Sequence, residues 1–151
     1  MCEFIIYIKN KECFSTFSSV LSKIIKFNFL ILLIGNLGVG KTLFTQYMIR
    51  CLFKSNIFIK SPTYSIVETY INNRFIINHL DFYRLSQSRD LENIGFNEYI
   101  GNNSICIIEW PELYINDLYI ADVIIYIYKY SNNTRVILLK TKCLCIKKYF
   151  Y

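Results

Sequence analysis

Apolar residues along this chain fall into two rhythms. Phe4 to Ile8 is a short strand-like run, and after it Cys13, Phe14, Phe17, Val20, Leu21, Ile24 and Ile25 return at helical spacing opposite a face of Ser and Lys. That spacing predicts an amphipathic helix from about Glu12 to Lys26 whose role is packing. Phe29 to Ile34 is apolar without interruption and of strand length, which predicts a central strand buried on both faces of a parallel sheet. A glycine-rich turn follows. From Lys41 onward Leu43, Phe44, Tyr47, Met48, Cys51 and Leu52 resume the helical period, so the order is strand, glycine loop, helix.

Further along, a short strand is predicted near Ile57 to Ile59, then two strands, Ile66 to Ile71 and Phe75 to Leu80, joined by the turn pair Asn72-Asn73. A polar stretch with helical pieces runs from Arg84 to Ile100, and Ile105 to Ile108 is another apolar strand. Val123 to Tyr130 and Thr134 to Lys140 flank the turn Ser131-Asn132-Asn133, while Thr141 to Tyr151 carries no clear pattern. The expected fold is α/β, with a mixed, mainly parallel central sheet, flanking helices and a C-terminal antiparallel hairpin. No repeat or Pro/Gly/Ser-rich seam divides it, so residues 1–151 are read as one domain.

Composition narrows the class. The 151 residues are 54% hydrophobic and 19% charged, which argues against disorder and is enough to bury a core without disulfide or metal. The longest apolar runs, Phe29 to Ile34 and Val123 to Tyr128, fall short of the roughly 20 residues that span a bilayer. Glu3 sits where a secretion signal would be basic and no cleavable apolar segment follows, so a cytoplasmic location is expected. The six cysteines form no CxxC pair and read as reduced, small hydrophobes. His79 lacks the clustered partners of a zinc site. The net charge of +6 is open to two readings, a nucleic-acid partner or an AT-rich coding sequence, and the scattered lysines with abundant Ile, Asn, Tyr and Phe favour the second.

The strongest chemical signal is Gly35-Asn36-Leu37-Gly38-Val39-Gly40-Lys41-Thr42, a match to G-x-x-x-x-G-K-[ST] lying between a buried strand and a helix. Its glycines let backbone N–H groups of Leu37, Gly38, Val39 and Gly40 turn inward into an anion nest at a helix N-terminus. Lys41 then reaches the β- and γ-phosphates of a nucleoside triphosphate, and the Thr42 hydroxyl serves Mg²⁺. Such a loop also needs an acidic group at the end of a neighbouring strand. Glu109, ending Ile105 to Ile108, and Asp81, ending Phe75 to Leu80, both qualify; the alternative for each is a loop cap or a salt-bridge partner for Arg84. Ser61-Pro62-Thr63-Tyr64-Ser65 reads either as a β-turn with Pro at its second position or as a nucleotide switch offering Thr63.

Five strings in order make the chain resemble the TsaE (formerly YjeE) family, the bacterial P-loop ATPases of tRNA threonylcarbamoyladenosine synthesis: GNLGVGKT at Gly35 to Thr42, SPTYSIVETY at Ser61 to Tyr70, HLDFYRL at His79 to Leu85, IGFNEYI at Ile94 to Ile100 and IIEWPE at Ile107 to Glu112. The resemblance implies a P-loop NTPase fold and slow hydrolysis of ATP with Mg²⁺. Lys41 and the loop amides would hold the phosphates, Thr42 and Glu109 the metal, and Asp81 would be catalytic. Thr63 would belong to a switch, and Arg135 would approach the nucleotide. It also implies partners, the transferase TsaD and its scaffold TsaB, and leaves tRNA proximity within that complex open; no membrane or DNA partner is expected. The chain departs from the family at Asn36, usually Asp, at Val39, usually Ala, and at Gln46-Tyr47, commonly Arg-Gly. The rivals are a small-molecule or nucleoside kinase, for which only Arg84 and Arg89 offer lid arginines, and a non-catalytic ATP-dependent adaptor. A GTPase is disfavoured because no N/TKxD string is present.

Overall fold

The computed structural model describes residues 1–87, 89–101, 103–118 and 120–150, with Lys147 described by its backbone alone; Ser88, Asn102, Tyr119 and Tyr151 lie outside the described residues. Seven strands form one sheet in the order β1-β7-β6-β2-β5-β4-β3. They are β1 (Cys2–Ile8), β2 (Phe29–Ile34), β3 (Val67–Ile71), β4 (Ile76–Asp81), β5 (Ser104–Glu109), β6 (Val123–Lys129) and β7 (Arg135–Thr141). Helices α1 (Lys11–Ile24), α2 (Lys41–Phe53), α3 (Asp90–Asn93) and α4 (Leu144–Phe150) complete the described secondary structure, together with 3-10 turns at Phe96–Glu98 and Glu112–Tyr114.

The sheet is mixed rather than mainly parallel. β6, β2, β5 and β4 run parallel, and antiparallel pairings flank them on both sides. For β3–β4 and β6–β7 short connections are the cause, because a two- to five-residue turn returns the chain antiparallel, whereas β1 and β7 pair antiparallel from opposite ends of the described chain. Between β3 and β4 the Asn72 side chain accepts from the backbone N–H groups of Arg74 and Phe75 at 2.8 and 2.7 Å, closing the turn that the sequence predicts there.

β2 is parallel to both neighbours and buried on both faces, as its unbroken apolar run predicts. Ile31 and Leu33 face the layer of α1 and α2, with Phe14, Phe17, Phe44 and Met48. Leu30 and Leu32 face the opposite layer, with Phe82, Phe96, Tyr114 and Leu118. Each such leucine or isoleucine stabilises the fold by about 1.5–3 kcal/mol relative to an exposed position.

Two segments differ from expectation. The stretch Ile57 to Ile59 is not a strand: Gln46 Nε2 donates to the Ile59 carbonyl at 3.1 Å and Arg50 Nε to the Ile57 carbonyl at 3.3 Å, so side chains of α2 take the place of a strand partner. The patternless tail contains α4, whose Ile146 is fully buried and whose Phe150 ring lies 5.6 Å from that of Phe4 and 6.1 Å from that of Phe17. Among the described residues no helix is long and apolar enough to cross a membrane.

Candidate functional site

The four parallel strands end at one edge of the sheet, and the glycine loop leaves β2 at that edge, between β5 and β6. Open α/β sheets bind ligands outside the carboxyl ends of their strands for this topological reason. The loop leads straight into α2, which begins at Lys41 with no side-chain cap. Its first-turn N–H groups therefore have no partner within the helix and point, with the positive end of the helix dipole, toward the loop.

Gly35 holds φ at 151°, and a Cβ there would sit 2.4 Å from the Ile127 carbonyl oxygen of β6. Gly38 holds φ at 75° with open space around it. Gly35→Ala should therefore cost about 1–3 kcal/mol through overpacking as well as strain. Gly38→Ala should cost only the positive-φ penalty, about 1–2 kcal/mol. Urea unfolding of the two variants side by side checks the order, and equal losses would show that the approach to β6 is not limiting.

Lys41 is 5% exposed. Its Nζ donates to the carbonyls of Gly35 and Asn36, and stands 3.5 Å from the centroid of the Trp110 ring. Burial pushes its pKa below the ordinary lysine value, and the nearby carboxylates of Glu109, Glu112 and Asp81 offset this only in part. Trp110 adopts φ 58°, donates its backbone N–H to the Leu33 carbonyl at 3.2 Å, and its ring lies 4.9 Å from that of Tyr83.

Asp81 and Glu109 are direct neighbours across the β4–β5 pairing, at 3% and 2% exposure. One Glu109 oxygen, Oε2, accepts the Thr42 hydroxyl at 2.9 Å; the other, Oε1, is 2.8 Å from His79 Nε2. Asp81 Oδ2 accepts the Thr63 hydroxyl at 2.8 Å and Oδ1 accepts the Tyr83 N–H at 2.9 Å, while the Ser61 and Thr63 hydroxyls are 2.8 Å apart. The Ser61 to Ser65 turn is thus fastened to the strand-end acid. Arg84 stands over the Tyr64 ring at 5.7 Å, and Asp81 bonds to Thr63 and Tyr83 rather than to Arg84.

Arg135 joins the last hairpin to the loop. Its Nε donates to the Val39 carbonyl at 3.1 Å, and its Nη1 reaches carbonyls of the turn at Ser131, Asn132 and Thr134. Beside it opens a cavity of about 410 Å³ lined by Ile8, Asn10, Phe14, Gly38, Leu43 and Arg135, among others. Leu37 is exposed at the loop tip, whereas the Val39 side chain is buried.

A family model described as "Threonylcarbamoyl adenosine biosynthesis protein TsaE" matches residues 8–137. The chain belongs to the TsaE family. It is 36% identical over 106 residues to a tRNA threonylcarbamoyladenosine biosynthesis protein TsaE from Rickettsia felis, covering 70% of this chain and 61% of that protein. With the protein of the same name from Haemophilus influenzae it shares 39% identity over 99 residues, 65% of this chain and 61% of the other. The matched stretch thus spans about 61% of the length of these curated relatives. The crystal structure of YdiB from Bacillus subtilis superposes with a TM-score of 0.72 at 20% identity, over 97% of this chain and 93% of that one, which supports the same fold.

In this TsaE-family chain the structure brings Lys41, Thr42, Asp81, Glu109 and Thr63 to one edge, and Arg135 to the Val39 carbonyl of the glycine loop. His79 is the member of the cluster to which the sequence alone assigns no role. The signal for it is the alternation within HLD: in a strand, His79 and Asp81 face the same way.

Proposed function

We propose that this TsaE-family chain is a Mg²⁺-dependent ATPase of tRNA threonylcarbamoyladenosine synthesis, a P-loop NTPase fold acting in the cytoplasm on a complex of TsaB and TsaD. The observation that carries this reading is the meeting of Thr42 and Glu109 at 2.9 Å, a hydroxyl from the helix after the glycine loop and a carboxylate from the adjacent strand.

The donor set fits magnesium. Among the described residues no cluster of three or more His, Cys, Asp or Glu side chains forms a cage, and Mg²⁺ on a nucleotide uses one or two protein oxygens with phosphate and water supplying the rest. Thr42 and Glu109 would hold it, and its charge would neutralise the phosphates being separated. The remaining work belongs to the chain. Amides of Leu37, Gly38, Val39 and Gly40 receive phosphate oxygens at the helix start. Lys41 exchanges the Gly35 and Asn36 carbonyls for the β- and γ-phosphates. Asp81 orients the attacking water, and its bond to Thr63 couples that role to the Ser61 to Ser65 turn. Arg135 holds the loop through the Val39 carbonyl. Asn36 replaces the family's usual acid with a neutral side chain, and its carbonyl serves Lys41, so the departure removes a charge near the phosphates and keeps the loop contact.

Single-turnover ATP hydrolysis, measured with and without TsaB–TsaD, tests the reading. The rate should rise with the partners and fall by about 100-fold or more in Glu109→Ala, at or beyond the loss seen when metal-site support is removed. Phosphate transfer to a small substrate would point to a kinase instead, and nucleotide binding with no turnover under any condition to an adaptor.

A further inference from the structure

We infer that His79 is a positioning residue, which fixes one oxygen of Glu109 so that the other is presented to Thr42 and the metal. This rests on the Mg²⁺-nucleotide reading above.

His79 is fully buried on β4, in a layer that includes Ile77 and Ile107. It is paired in register with Ile107, while Asp81 is paired with Glu109. His79 therefore lies one strand over and one pleat below Glu109 on the same face of the sheet, a diagonal that two long side chains can bridge. They do so at 2.8 Å. An ionised carboxylate only accepts hydrogen bonds, so Nε2 is the nitrogen that carries the proton in this contact.

The other ring nitrogen decides between packing and positioning. His79 Nδ1 is the one buried side-chain nitrogen or oxygen among the described residues with no hydrogen-bond partner. A residue present only to fill this apolar layer would bring no polar atom that must be desolvated without return, and an isoleucine or leucine would pack there as its neighbours do. The imidazole's return is its single contact with Glu109.

That contact has a direct consequence for the site. The terminal torsion of a glutamate is broad and nearly two-fold, so a carboxylate tied at one oxygen is free to swing. Glu109 is tied at both. With Oε1 held by a rigid ring on β4, Oε2 stays facing the first turn of α2, and the hydroxyl–carboxylate pair is set before any nucleotide arrives. Support of this kind, from a group that touches the ligand-bearing side chain and nothing else in the reaction, typically governs metal affinity by about 10–100-fold.

Binding of a non-hydrolysable ATP analogue by isothermal titration, in EDTA and in Mg²⁺, reads this directly. The ratio of the two affinities should drop about 10–100-fold in His79→Leu, with the affinity in EDTA unchanged. His79→Gln, whose side-chain amide can donate from nearly the same point as Nε2, should recover most of the ratio. A purely structural role predicts instead that both variants lose thermal stability while the Mg²⁺ ratio of the folded protein stays at the wild-type value, and that result overturns the inference. If wild type itself shows no Mg²⁺ enhancement, the Mg²⁺-nucleotide reading fails and this inference falls with it, an outcome distinct from failure of the His79 role alone. Should the leucine variant not fold, the wild-type protein still decides: His79 is the single histidine of the chain, so ¹⁵N-labelled imidazole gives one set of signals. Nε2 should remain the protonated, hydrogen-bonded nitrogen when Mg²⁺ and the analogue are added; a switch of the proton to Nδ1, or loss of the bond, excludes the role.

Discussion

Lys41→Ala should weaken binding of ATP by roughly 30- to 5,000-fold, the range expected when one partner of a desolvated charge pair, worth about 2–5 kcal/mol, is truncated. It should do so without lowering the stability of the nucleotide-free protein. The reason is the cost already visible in the fold: Lys41 is almost wholly buried, and burial holds its pKa below the ordinary value against the pull of Glu109, Glu112 and Asp81. A lysine whose folded pKa is lowered leaves the folded state binding fewer protons than the unfolded chain, in the window between that lowered value and the ordinary 10.5. Stability contributed by this group therefore rises with pH through that window, and at neutral pH the charged ammonium works against folding. The variant should match or exceed wild type in thermal midpoint near pH 7 and lose that part of the alkaline slope. Equilibrium titration with ATP and thermal scans across pH 7–11 measure both. Unchanged affinity would remove Lys41 from the phosphate site; a large drop in midpoint would mean that its contacts with the Gly35 and Asn36 carbonyls and Trp110 outweigh its burial.

Phe44→Ala should have the opposite profile, a loss of about 3–5 kcal/mol in stability. Phe44 is fully buried in α2, one turn into the helix that begins at the glycine loop, with its ring 6.1 Å from that of Phe14 and 5.6 Å from that of Phe17. It is one of the contacts through which α1 braces α2. Against a total stability of about 5–15 kcal/mol, the loss corresponds to a fall in thermal midpoint of roughly 6–20 °C for a chain of this size. Urea unfolding should show a lower midpoint with an unchanged slope, as for a cavity in an otherwise intact fold. A loss under 1 kcal/mol would mean that the two helices collapse into the vacated space.

Much of this molecule is legible in its amino-acid sequence, and the illegible parts share a cause. β2 and α2 are readable because an uninterrupted apolar run and a helical period each span a full element, and the glycine loop because its spacing is itself the chemistry. β5 carries Glu109 at its end for the same reason. Ile57 to Ile59 has the composition of a strand, yet Gln46 and Arg50, residues of the preceding helix, occupy its carbonyls; propensity describes a segment, and the partner lies outside it. α4 spans seven residues, too few for a period to declare itself, and is helical because Ile146 and Phe150 find α1 and β1. His79 and Glu109 are thirty positions apart, and only the parallel register of β4 and β5 makes them neighbours.

The pairing of β1 with β7 gives the molecule a particular order of assembly. Ile8 pairs with Arg135 and Cys2 with Thr141, so the strand that leads into α1 has no sheet partner until almost the whole described chain has been made. Contacts that close so long a loop form late and slowly. α1 is the brace for α2, and Arg135, the residue that clasps the glycine loop at Val39, opens β7 itself. A chain that has made Gly35 to Thr42 but not yet β7 thus lacks both the partner strand of β1 and the Arg135 bond to the Val39 carbonyl, so that support of the loop comes only with β7.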